Sequence, residues 1–72
     1  MKSLRQLEIE EDIRPRHDGT LCLADVGREI GILFRPSIEK FVKNIPCYYI
    51  NGNRRWRVAD IAKAIADAEV TP

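Results

Sequence analysis

The dipeptide Asn51-Gly52 constrains this chain more than any other feature. It lies between the β-rich run Tyr48-Tyr49-Ile50 and the run Arg54 to Val58. A tight primed turn needs positive φ angles at its central residues, and only Gly and Asn adopt these readily, so the sequence predicts a β-hairpin. With a two-residue loop, Cys47, Tyr49, Trp56 and Val58 share one face. Tyr48, Ile50, Arg55 and Arg57 then share the other, whereas a three-residue loop would shift one strand against its partner. The two-residue register is preferred because it turns every arginine of the return strand except Arg54 outward.

Elements flanking the hairpin follow from periodicity. Pro36 suits the first turn of a helix, and Ile38, Phe41, Val42 and Ile45 recur at helical spacing. The spacing predicts an amphipathic helix over 36–44, with Asn44 as a left-handed cap and Pro46 preventing continuation. Its outward residues are Ser37, Lys40, Lys43 and Asn44. Before it, Leu23, Val26, Gly27 and Ile30 take helical spacing, with Asp25 in the first turn and Gly31 at the C-terminal cap. A short helix, a glycine-containing turn and a second amphipathic helix make a helix-turn-helix pattern. Gly27, inside the first of these helices, costs roughly 1 kcal/mol against alanine, and close approach of the second helix is the expected compensation. An alanine-rich helix over 59–67 closes the fold, with Val58, Ile61, Ala62, Ile65 and Ala66 on its buried stripe.

Residues 1–19 are open to three readings. Leu4, Leu7, Ile9 and Ile13 fit a strand, a loose helix or a disordered arm, and Pro15 with His17-Asp18-Gly19 is turn chemistry. His17 reads as a surface loop residue. The expected organisation is an N-terminal segment of uncertain structure at 1–19, a folded module at 20–68 that Thr20 to Leu23 enter as a short apolar run, and a frayed tail at 69–72.

Formal net charge is +1, which hides an uneven distribution. Residues 35–57 hold six basic side chains against one acidic, or +5, while 1–19, 20–34 and 58–72 carry −1, −1 and −2. A local field of this kind attracts a polyanion whatever the overall charge. The alternative is a solvated surface, since Lys and Arg on edge strands also prevent sheet-to-sheet pairing.

Several function classes are disfavoured. A chain of 72 residues makes one domain with a small core, leaving little room for a catalytic pocket. No Ser/His/Asp set, phosphate-cradling glycine loop or paired buried carboxylates can be read, so an enzyme is not expected. Cys22, Cys47 and His17 form no zinc-ligand spacing, and neither metal nor cofactor is expected. The cysteines read as small buried apolar residues and not as a disulfide. No apolar run approaches the ~20 residues of a membrane span. Met1 to Leu7 lead into acidic residues and not into an apolar stretch, so a cytoplasmic location is expected.

Leu23-Ala24-Asp25-Val26-Gly27-Arg28-Glu29-Ile30-Gly31, Ser37-Ile38-Glu39-Lys40-Phe41, and Pro46 followed by Asn53-Arg54-Arg55-Trp56-Arg57-Val58-Ala59-Asp60-Ile61 resemble the winged helix-turn-helix of MerR-like and phage excisionase-type proteins. The similarity covers about residues 20 to 66. The basic hairpin running into an aromatic, an aliphatic and an Asp-aliphatic helix start is its most specific part. Leu33-Phe34 stand where that family usually carries a small polar cap, and Phe41 where tryptophan is common. The resemblance implies an α+β fold of two helices, a β-hairpin wing and a C-terminal helix. It also implies a sequence-directed, DNA-binding architectural role as a recombination directionality factor that bends attachment-site DNA to favour integrase-mediated excision.

Double-stranded DNA would then be the partner, with an integrase or recombinase and cooperative copies of the chain beside it. Ser37, Lys40 and Lys43 would face the major groove, while Arg35, Arg54, Arg55 and Arg57, with Asn53 at the wing, would meet phosphates or a narrow minor groove. Glu39 would either accept from a cytosine amino group or pair with Lys43 at i,i+4. Tyr48, Tyr49 and Trp56 read either as wing-root packing or as base-stacking platforms. Some relatives regulate transcription instead, and a protein-interaction module docking on an acidic partner is the reading from a different class.

Overall fold

A computed structural model describes residues 3–69. It is a small α+β domain in which four α-helices surround a three-stranded antiparallel sheet, consistent with the winged helix-turn-helix architecture. The elements are α1 (Leu4–Ile13), a 3₁₀ turn (Arg14–Arg16), β1 (Thr20–Leu21), α2 (Leu23–Ile30), α3 (Arg35–Val42), β2 (Tyr48–Ile50), β3 (Asn53–Arg57) and α4 (Val58–Ala68). Spatial order in the sheet is β1-β3-β2. No helix among the described residues is long and apolar enough to cross a membrane.

The N-terminal segment is helical, and it is part of the folded unit, which corrects the expectation of a module beginning after Gly19. Ser3 caps α1 by accepting from the Gln6 N–H at 3.1 Å. The buried stripe of this helix is Gln6, Ile9, Glu10 and Ile13, while Leu4 and Leu7 lie exposed. Half of the stripe is polar, so hydrophobic periodicity does not reveal it. Its polar members are satisfied locally: Gln6 Nε2 donates to the Ala59 carbonyl at 3.4 Å, and Arg14 reaches Glu10 at 3.1 Å. Ile9 and Ile13 complete a core with Leu21, Val26, Ile38, Val42, Trp56, Val58, Ile61 and Ala62.

Helix α2 ends as its sequence predicts, with Gly31 at φ 76° and the Ile32 N–H donating to the Gly27 carbonyl at 2.9 Å. Gly27 is required by packing. A β-carbon there would stand 2.6 Å from Ile38 Cδ1 on α3 and 2.7 Å from the Ile32 carbonyl oxygen. Gly27→Ala is therefore expected to destabilise the fold by about 1–3 kcal/mol despite alanine's better helix propensity. A thermal melt that rises or stays level would contradict the close α2–α3 approach.

Helix α3 is shorter than the sequence predicts. It stops at Val42, Lys43 keeps right-handed helical angles, and Asn51 is the one non-glycine residue with positive φ among those described, so Asn44 is not a left-handed cap. The chain instead turns through the Ile45 N–H, which donates to the Val42 carbonyl at 3.0 Å, and Ile45 packs against the core ahead of Pro46.

At the hairpin, Asn51 (φ 53°) and Gly52 (φ 80°) both take positive φ, giving the two-residue loop. Tyr48 faces Arg55, Tyr49 faces Arg54 and Ile50 faces Asn53. The third strand is new relative to the sequence reading. Thr20 pairs with Arg57 and Leu21 with Trp56, anchoring the wing root to the chain just ahead of α2. In α4, Val58, Ile61 and Ala62 are buried, and Ile65 and Ala66 pack against the core. Glu69, expected to fray, is gripped by Arg5 through contacts of 2.7 and 2.8 Å; the remainder of the expected tail, 70–72, lies outside the described residues.

Candidate nucleic-acid interface

Two apolar anchors decide which side of α3 meets solvent. Ile38 and Val42 are buried, which leaves Ser37, Lys40 and Lys43 exposed as the sequence predicts. Arg35 opens the helix, also exposed. Across from it stands the wing, and an open groove between them is lined by Arg35, Asn53, Arg54 and Arg55 together with Leu33, Tyr49 and Ile50. Four of the nine sequence-predicted residues thus share one groove. Ser37 and Lys40 on α3 and Lys43 just past its end lie outside it, and Arg57 is on the sheet face shared with Arg55, beyond the groove lining.

The three wing arginines have different environments. Arg54 lies on the Trp56 side of the hairpin, its guanidinium carbon 5.2 Å from the indole centroid and Nη2 2.7 Å from Glu39 Oε2. That hydrogen bond holds the Glu39 carboxyl below the usual carboxylate range and raises Arg54. Arg54 and Glu39 are therefore each other's partner. The sequence reading assigns Arg54 to phosphates and Glu39 to a cytosine or to Lys43; in the fold Glu39 is paired with Arg54 and not with Lys43. Arg55 is oriented through Nε to Thr20 Oγ1 at 3.1 Å and Nη2 to the Thr20 carbonyl at 3.4 Å, both neutral acceptors that leave its charge uncompensated. Arg57 is exposed, without a carboxylate partner among the described residues.

Elsewhere among the described residues the basic side chains are paired. Arg5, Arg14, Arg16, Arg28 and Lys63 each hold a carboxylate at 2.7–3.1 Å. Within residues 35–57 only Arg54 does so. Cations without a carboxylate partner among the described residues are thus Arg35, Lys40, Lys43, Arg55 and Arg57, all from the stretch whose formal charge is +5.

The remaining candidates resolve as follows. Trp56 is 1% exposed and belongs to the core, whereas Tyr48 and Tyr49 stand exposed at 44% and 72%. Cys22 and Cys47 are free thiols, and Cys47 is exposed instead of buried. His17 is largely buried and not a surface loop residue, its Nε2 2.8 Å from Glu29 Oε2. Arg16 reaches the same carboxylate at 2.7 Å, and its hydrogen bond is the main reason the Glu29 carboxyl is held low. These contacts tie the turn after α1 to α2. No group of three His, Cys, Asp or Glu side chains among the described residues is placed to hold a metal.

Sequence reasoning did not single out Thr20 or the exposure of Leu33 and Phe34, whereas the preferred register already put Ile50 on the outward face. Thr20 could be found only through the third strand. The triplet Leu33-Phe34-Arg35 did carry a signal, in the bulky residues that occupy a helix-capping position. No family model, curated protein or solved structure matches the chain.

Proposed function

We propose that the protein is a sequence-directed DNA-binding architectural factor of the excisionase type, which binds and bends attachment-site DNA and so biases an integrase toward excision. One observation carries the DNA-binding reading: among the described residues, cations outside 35–57 are paired with carboxylates, whereas those within 35–57, Arg54 apart, have no carboxylate partner. Exposed ion pairs bring little stability, so pairing at the surface is cheap to arrange or forgo. Leaving these five side chains without carboxylates keeps a cationic field that phosphates can occupy. The recombination role rests on the resemblance of residues 20 to 66 to excisionase-type proteins.

In this mechanism α3 enters the major groove, with Ser37, Lys40 and Lys43 along its exposed side, while Arg55 and Arg57 hold the wing to the backbone. Five cations set the ceiling on counterion release. The log-log dependence of affinity on salt is then no steeper than about −4.5, at ~0.9 for each phosphate neutralised.

Titrating duplex binding against salt for the parent and for a Lys40→Ala/Lys43→Ala/Arg57→Ala variant tests this. None of the three has a structural partner among the described residues, so the variant should fold normally, bind more weakly and flatten the slope by about 2–3. An unchanged slope, or a parent without duplex affinity, overturns the proposal. Exposed Leu33 and Phe34 favour a second reading, docking on a protein. That reading gains if the parent captures an acidic protein partner and ignores DNA.

A further inference from the structure

Phe34 breaks two local rules at one position. It is the N-cap of α3, with φ −76° and ψ 111°, and its carbonyl accepts from the Ser37 and Ile38 N–H groups at 3.0 and 3.2 Å. Its side chain makes no capping hydrogen bond, so the chain forgoes the stabilisation that Ser, Thr, Asp or Asn supplies there. The phenyl ring is also 68% exposed, beside Leu33 at 89%. Neither residue is among the buried core or the partly buried apolar side chains packed on it. Local rules are broken in this way mostly where function demands it.

We propose that Leu33 and Phe34 form an apolar prong that contacts thymine C5-methyl groups in the major groove. The inference rests on the DNA-binding reading above and deepens it. Residues at the leading end of a groove-bound helix are those that reach base edges, and the thymine methyl is the one apolar feature the major groove offers. Charge complementarity identifies the occupant. The prong precedes Arg35 directly, α3 carries Lys40 and Lys43 is its C-cap, so whatever covers it meets cations without a carboxylate partner among the described residues. Duplex DNA presents methyl groups and phosphates side by side. The backbone at Phe34 is already set by the first turn of α3, so little order remains to be imposed on the ring when it binds.

The test uses the full chain and duplexes that the parent enriches from a randomised pool, resynthesised with deoxyuridine in place of thymidine. This removes the methyl groups and keeps every phosphate and Watson–Crick edge. The parent should bind the thymidine duplex about three- to fifteenfold more tightly, in line with burying one or two methyl groups. Phe34→Ser and Leu33→Ser should lose that difference with the salt slope unchanged. Because serine supplies the missing cap, Phe34→Ser should also melt roughly 3–8 °C higher. A ring needed for folding would lower it instead.

Equal affinity of the parent for both duplexes, or full discrimination retained by Phe34→Ser, overturns the prong and leaves salt-dependent DNA binding standing. No duplex affinity in the parent, with a protein partner lost on Phe34→Ser, overturns both.

Discussion

Trp56→Ala is expected to remove a large share of the fold's stability. The indole is 1% exposed at the root of the wing, paired across the sheet with Leu21 and covered on one face by Arg54. Truncating a buried tryptophan costs about 3–5 kcal/mol, against a total stability of roughly 4–11 kcal/mol for a domain this size. Its Nε1 is buried without a hydrogen-bond partner among the described residues, which partly offsets the gain from burying the ring. Trp56→Phe should accordingly lose much less. Urea titration followed by circular dichroism gives the answer, and a Trp56→Ala midpoint close to the parent's would place the wing outside the cooperative unit.

The second large effect is expected from removing residues 1–16. Helix α1 packs along α4 and buries Ile9 and Ile13 at 7% and 2% exposure. Each buried isoleucine contributes about 1.5–3 kcal/mol, and the deletion also uncovers the face of α4 that α1 packs on and breaks the Arg5–Glu69 clasp. The remaining segment should lack a cooperative transition and bind hydrophobic dye. Ile13→Ala alone should cost about 2–5 kcal/mol. A sharp, near-parental transition from the shortened chain would restore Gly19 as a domain boundary.

What could be read from the sequence was what local chemistry decides. Asn51-Gly52 dictates the turn because few residues take positive φ. Gly31 ends α2 for the same reason, and Pro36 opens the first turn of α3 through its fixed φ. The two-residue register, preferred because it turns every arginine of the return strand except Arg54 outward, is the one observed. Features set by distant partners were not legible. The two residues of β1 are too few to make a pattern, and they form a strand only because β3 lies alongside. Helix α1 hides its buried face behind Gln6 and Glu10 while showing Leu4 and Leu7 to solvent. Among the candidate contacts, Ser37, Lys40 and Lys43 followed from the helical stripe, whereas the Glu39–Arg54 pair spans 15 positions and needed the tertiary fold.

That pair also says something about how the molecule can move. A two-stranded ribbon on its own swings freely, and each swing is lost when it settles on a target. Here a carboxylate from the neighbouring rod moors the ribbon's return strand, and the indole beneath the guanidinium steadies it from the other side. Rod and ribbon are thus presented as one rigid caliper whose gap is preset before any contact. A ligand that matches the gap loses little of the protein's freedom on docking, and one that does not must pull the mooring apart.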